Sequence, residues 1–371
     1  MCVYRINFFL ALSLVVLVAL TALPAWEIRS IQGRDHVSLK EVAAFYDLRA
    51  GPSPSPGTRK FSGVGRELVV TANSRELFIN GIAHWLAFPV MEHEGELFLC
   101  RLDLGKTVEP AFRPQRIPNF PGVGTVVLDA GHGGYDSGAS SRYQLEKNFS
   151  LDVVRRIRDA LQKAGVRVVL TRNSDDFVEL QDRAAIASRL KDAIFVSIHF
   201  NATDGNGAAN GLEIFCVTPR GAPSTAYEQL SERDMIGENG NEHDIHSFAL
   251  ANTIYHSMQG RMKMTDRGVK RARFAVLRLA AVPAVLVEGG FLTNPVDARN
   301  IATRAWRDSY AESIARGILE YRNLAALRAP PRQVGDYRSG RGPAAPLGRA
   351  IPETEPASGS SVLLRDLPAH D

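Results

Sequence analysis

From Thr125 onward the chain alternates short apolar runs with stretches whose apolar residues recur every three or four positions. Thr125–Asp129, Val166–Leu170, Ala193–Ile198, Leu212–Val217 and Ala284–Val287 are apolar at nearly every position, and each reads as a buried strand. Between them, Leu151, Val154, Ile157 and Leu161 repeat at helical spacing, and Gly165 stops that helix. Leu180–Leu190 reads as a helix. Phe248, Ala251, Tyr255 and Met258 line one face of another, and Tyr310–Leu327 forms a closing helix. Strands that are apolar on both faces, with helices between them, predict an α/β fold. It is a mostly parallel twisted sheet with helices on both faces.

The region before this is built differently. Ser38 followed by Glu41 has the spacing of a capping box, and Val42, Ala43, Phe45 and Tyr46 continue as a short helix. Gly51–Gly57 is a Pro/Ser/Gly loop. Strand-like runs follow at Glu67–Thr71, Glu76–Ile79, Ala83–Phe88 and Glu96–Cys100, separated by turns such as Asn80-Gly81 and Glu94-Gly95. This predicts a small α+β, β-rich domain over residues 26–115. A linker over Pro114–Gly124 leads into the α/β domain, placed at 116–327. Residues 328–371 are rich in Pro, Gly, Ala and Ser and read as a disordered tail.

The first residues change the cellular picture. Arg5 is the single charge before Glu27, and Phe8–Ala22 is an almost unbroken apolar run ending near Leu23, Pro24 and Ala25. Residues 1–25 therefore read as an export signal, with retention as a membrane anchor if it stays uncleaved. The remaining chain is expected outside the cytoplasm, in the periplasm or cell envelope. A formal charge of +4 and a pI near 9.0 come with no dense Lys/Arg face. They give no argument for nucleic acid as a partner. Cys100 and Cys216 fall in different expected domains and read as buried free thiols, and neither sits in a CxxC motif.

Open α/β sheets place their chemistry beyond the carboxyl ends of the strands. After the first strand stands Asp129-Ala-Gly-His132-Gly-Gly-Tyr-Asp136; after the third, His199-Phe-Asn201; after the late buried strand, Glu288-Gly-Gly-Phe; and Glu146 opens the first helix. Two imidazoles, a carboxylate and an open position suit catalytic zinc, and a further carboxylate can move a proton. Alone, each residue has a plainer reading. His132 could be a loop contact in a Gly-rich turn, His199 a hydrogen-bonded core residue, and Glu146 a helix N-terminal acid. Glu288 needs a partner, because an unpaired buried carboxylate is expensive.

VVLDAGHGGYDSGA, the Glu of QLEKNFSLDV, SIHFNA and VLVEGGFLTN resemble, in order and spacing, the signature blocks of the zinc-dependent N-acetylmuramoyl-L-alanine amidases. LTRNSDDFVELQDRAAIA and DRGVKRARFAVLR add to the likeness, which covers about residues 124–325. The resemblance implies one zinc ion per chain on His132, Glu146 and His199, and Glu288 as the catalytic carboxylate. It implies peptidoglycan as substrate, cut between muramic acid and L-alanine, and leaves room for an activator protein. Asn201 is carried over as a substrate or structural contact. Asp129 could orient His132 or cap the turn, and Arg183 reads as a structural ion-pair former. A zinc peptidase acting within the stem peptide and a non-catalytic wall-binding protein are the rival readings. The polar segment between Thr218 and Ser247 reads as a surface loop, or as a lid that offers a carboxylate to the metal.

Overall fold

The computed structural model describes residues 26–203 and 207–326. The expected leader and tail lie outside the described residues. The first part supplies β1 (Ile28–Ile31), β2 (Arg34–Ser38), α1 (Leu39–Phe45), β3 (Arg49–Ala50), β4 (Thr58–Gly63), β5 (Arg66–Thr71), β6 (Glu76–Ile79), β7 (Ile82–Trp85), β8 (Met91–His93) and β9 (Glu96–Cys100). Two short helices follow, α2 (Arg101–Asp103) and α3 (Glu109–Phe112). Ser38 caps α1 by accepting from the Lys40 backbone N–H. Glu41 does not close the expected box, because its carboxylate accepts from the Glu27 backbone N–H instead.

The second part supplies β10 (Thr125–Ala130), α4 (Glu146–Lys163), β11 (Arg167–Leu170), α5 (Leu180–Ser188), β12 (Ala193–Asn201) and β13 (Leu212–Val217). It continues with α6 (Asp244–Gln259), β14 (Asp266–Ala272), α7 (Ala275–Leu279), β15 (Ala284–Phe291), α8 (Pro295–Ala302) and α9 (Arg304–Ala326). Strands β11, β10, β12 and β15 are parallel neighbours in that order. Val126, Leu128, Ile198 and Val287 pack on one face against Val154, Ile157, Leu161, Ile254 and Ile314. Val127, Val169, Phe195 and Leu286 pack on the other against Ala184, Ala187 and Leu277. The sheet is thus covered by helices on both sides, as the apolar runs demand.

Strand β14 was not expected. Its sequence, DRGVKRA, alternates charge with small residues and shows no apolar run. The stretch read as a linker is also packed in: Ile117, Phe120 and Val123 are buried in the same core as α4 and α9. Cys100 and Cys216 are buried free thiols.

The direction of β13 decides against one of the two readings of the segment that follows it. It runs antiparallel to β15, with Glu213 opposite Glu288 and Cys216 opposite Val285. The chain therefore leaves β13 at the rim opposite the strand ends that carry His199 and Glu288. The segment after Thr218 lies along the far edge of β14, where the Thr225 N–H donates to the Arg271 carbonyl at 2.9 Å. Arg75 of the N-terminal part donates to the Tyr227 carbonyl at 2.6 Å, and Asp234 pairs with Arg273 at 2.6 Å. A lid over the metal ligands is not what this segment forms.

The N-terminal part has a core of its own, including Val37, Val42, Leu68, Leu77 and Leu99. Strands β1, β2, β9 and β8 form a separate sheet, while β3 to β7 extend the large one. The seam is a parallel contact of β7 with β14, His84 against Val269. Gly268 makes this approach possible. Its φ is +85°, and a Cβ there would lie 2.5 Å from the Ala83 carbonyl oxygen. Gly165 has a similar φ of +72° but open space around it. Both Gly→Ala changes should cost the left-handed strain of about 1–2 kcal/mol, and Gly268→Ala should lose clearly more. Urea denaturation of the two variants checks this; equal losses would show that the seam is not tight.

Candidate metal centre and active site

Three side chains from separate elements converge at the carboxyl rim of the parallel strands. His132 sits in the turn after β10, Glu146 is the first residue of α4, and His199 stands near the end of β12. The Glu146 carboxylate lies 3.0 Å from His132 Nε2 and 2.9 Å from His199 Nδ1. One ligand atom from each residue lies within 4.8 Å of the other two. Glu146 is buried and also accepts from the Ala139 N–H at 2.8 Å and the Phe200 N–H at 3.1 Å. Burial alone would raise its pKa; the hydrogen bonds and charge of the two imidazoles more than offset that and hold it well below the usual carboxylate range.

The backbone makes room for this cluster. A Cβ on Gly131 would sit 2.3 Å from the His199 ring, and one on Gly138 would sit 2.5 Å from the His132 ring and 2.6 Å from a Glu146 oxygen. His132 itself takes a left-handed φ of 62°, which for a non-glycine residue must be held by its surroundings. Arg183 supplies much of that hold. It donates to the carbonyls of Ala130 and His132, both at 2.8 Å. Two nitrogen ligands and one carboxylate, in a cradle closed to any side chain on the two glycines, fit a zinc ion.

Asp129 is placed differently from the orienting role proposed for it. Its carboxylate accepts from Thr171 and Ser197, both at 2.6 Å, and pairs with Arg183 at 3.0 Å. Burial pushes it up, but Arg183 and the two hydroxyls leave it below its ordinary value. The residue that holds His132 is Asp136, whose Oδ2 lies 2.8 Å from Nδ1. Asp136 stands in the quoted Gly-rich block, yet nothing in the sequence said that the turn would fold back on itself. Arg183 is an ion-pair former, as its sequence reading had it; the partner the structure gives it is Asp129, and both are buried.

Glu288 lies beside His199 in register on the neighbouring strand. Its Oε2 is sealed from solvent with no hydrogen-bond partner. Burial, with the nearby charges of Glu146 and Glu213, pushes its carboxyl well above the usual range. Such an acid is suited to carrying a proton. On the far side, Glu213 faces it in register. Glu213 accepts from Arg267 at 2.8 Å, Lys270 at 2.6 Å and Asn201 Nδ2 at 2.6 Å. Asn201 is therefore at the site's edge, tied to Glu213. The sequence reading missed Glu213, although a carboxylate inside an apolar strand needs a partner as much as Glu288 does.

Residues 126–320 match the N-acetylmuramoyl-L-alanine amidase family over more than half of the chain. The chain belongs to that family. Membership makes it a hydrolase that cuts an amide bond. N-acetylmuramoyl-L-alanine amidase AmiA of Escherichia coli is 34% identical to it over 224 residues, 54% of this chain and 76% of the relative. AmiC of another Escherichia coli strain is 34% identical over 246 residues, 59% of this chain and 58% of the relative. A solved amidase, AmiC2 of Nostoc punctiforme, shares 37% identity over 53% of this chain and 96% of its own, with a TM-score of 0.45. The matches to the family lie in the α/β part, where this amidase carries every residue of the cluster.

Arg183→Ala would strand the buried Asp129 carboxylate and free the His132 turn. The loss expected for one partner of a buried ion pair is about 3–5 kcal/mol. Chemical denaturation measures it; a loss under about 1 kcal/mol would mean that the clamp is not structural.

Proposed function

We propose that this amidase hydrolyses the bond between the lactyl group of N-acetylmuramic acid and L-alanine of the peptidoglycan stem peptide, and that it is zinc-dependent and exported. The observation that carries the reading is the His132–Glu146–His199 cluster beside Glu288. His132 Nε2, His199 Nδ1 and a Glu146 oxygen would hold the ion. Zinc bound there supplies Lewis acidity, lowering the pKa of water from about 15.7 toward about 7 and polarising the scissile carbonyl.

The chain's own residues do the rest. Asp136 beside His132 Nδ1 favours the tautomer that donates there, which would leave Nε2 free to bind the ion. Glu288 takes a proton from the attacking water and holds it in a buried position. It then returns that proton to the departing amine of L-alanine. Export rests on the apolar N-terminal stretch of the sequence; among the described residues no helix is long and apolar enough to cross a membrane.

Glu288→Gln removes the proton carrier and leaves the three candidate ligands in place. It should lower the rate on purified peptidoglycan by about 10²–10⁴-fold while zinc content stays the same. Mass analysis of the wild-type digest should show free stem peptides and intact glycan. Trimmed peptides would instead indicate a peptidase, and no release would indicate a binding protein. Asp136→Ala should weaken zinc affinity by about 10–100-fold. Competition with a chelator measures this, and an unchanged affinity would remove Asp136 from the account.

A further inference from the structure

The turn that carries His132 also presents an aromatic face to solvent. Gly133 and Asp136 close it with reciprocal backbone hydrogen bonds of 2.9 and 3.1 Å, which leaves Gly134 and Tyr135 at its tip. Tyr135 is 82% exposed. It is nevertheless fixed, stacked on Phe177 with centroids 4.2 Å apart and planes 28° from parallel. The stack is held from below. The Gly134 N–H donates to Asp175 at 2.9 Å, and Lys147 bridges the Gly134 carbonyl at 2.8 Å and Asp175 at 2.6 Å. A Cβ on Gly133 would lie 2.1 Å from the Asp176 carbonyl oxygen, and one on Gly134 would lie 2.9 Å from the Phe177 nitrogen. The two loops thus touch backbone to backbone. An aromatic this exposed usually moves freely; here a buried lysine stem and two glycines keep its outer face in one place. Tyr135 lies three residues from His132, so their Cα atoms are at most about 11 Å apart.

The two flanks of the site differ in charge. Tyr135 and Phe177 follow β10 and β11, at one end of the parallel strands. At the other end, beyond Glu288, lie Arg267 and Lys270 against the single carboxylate of Glu213. That flank carries two cationic side chains sharing one carboxylate, whereas the stacked pair offers a neutral face. A substrate with an uncharged sugar chain on one side of its amide and a carboxylate-bearing peptide on the other matches this asymmetry in one orientation. The C–H face of a pyranose ring complements the electron-rich face of an aromatic ring, and carboxylates complement Arg267 and Lys270.

We infer that the Tyr135–Phe177 stack is a carbohydrate subsite that seats the glycan strand next to the muramic acid whose amide is cut. This rests on the amidase reading for its choice of ligand. Its test is direct binding of two probes to the full-length protein by calorimetry: peptide-free glycan strands from peptidoglycan, and the free stem peptide. Tyr135→Ala should weaken glycan binding about three- to tenfold, and Tyr135→Trp should restore it. Stem-peptide affinity should be the same in all three proteins. On intact peptidoglycan, Tyr135→Ala should act mainly through KM. Equal glycan affinity in wild type and Tyr135→Ala would overturn the inference, as would no glycan binding by the wild type. So would a loss confined to the stem peptide, which would make the stack a peptide seat. Failure of the amidase reading shows separately, as a wild-type protein that releases no stem peptide whatever its glycan affinity.

Discussion

A buried carboxylate, Glu146, lies within hydrogen-bonding distance of two imidazoles, one in the turn after β10 and one on β12. Everything around the site serves that convergence. The carboxylate is fixed by opening a helix and accepting backbone N–H groups from Ala139 and Phe200. His132 is aimed by Asp136, and His199 by its place near the end of β12, where the register with β15 shifts. Desolvating a carboxylate in this way is costly unless positive charge meets it. The cluster therefore calls for positive charge among the three residues, which the proposed cation would supply.

The scaffold reaches this arrangement by clamping backbone rather than by filling space with side chains. Arg183 holds the carbonyls of Ala130 and His132, and Arg172 holds those of Ala130 and Gly131 at 2.9 and 2.8 Å. The glycines between are where a Cβ would strike His199 or His132. The left-handed His132 and the aromatic tip at Tyr135 are consequences of the same tight turn. The proposed metal ligation and the proposed glycan seat would then be two functions of one loop, braced from β11 and α5.

The parallel α/β core and its candidate ligands were legible in the sequence because apolar runs mark buried strands and because strand ends in such sheets carry the chemistry. What was not legible has a common cause. Hydrophobicity marks a strand but not its direction, so the antiparallel course of β13 was hidden. With it went the place of residues 218–243, which leave at the far rim. Strand β14 carries alternating charge because Arg267 and Lys270 serve Glu213 on one face and Arg271 packs over Phe248 on the other. It therefore lacks the apolar run by which strands are read. Asp129 and Asp136 lie seven residues apart around one turn, and only the fold-back of that turn decides which one meets His132. The N-terminal strands read correctly as a β-rich unit, but a seam that turns on the close approach of Gly268 to Ala83 and on polar contacts such as Lys106–Asp244 leaves no apolar pattern to read.

The most direct measurement is anomalous X-ray scattering at the zinc edge from crystals of protein shown to be active on peptidoglycan. The account predicts one peak per chain, bonded to His132 Nε2, His199 Nδ1 and a Glu146 oxygen at about 2.0–2.2 Å, with Glu288 beside it and not bonded to it. Fully active crystals with no peak among those three residues, or with the ion held elsewhere, would contradict it.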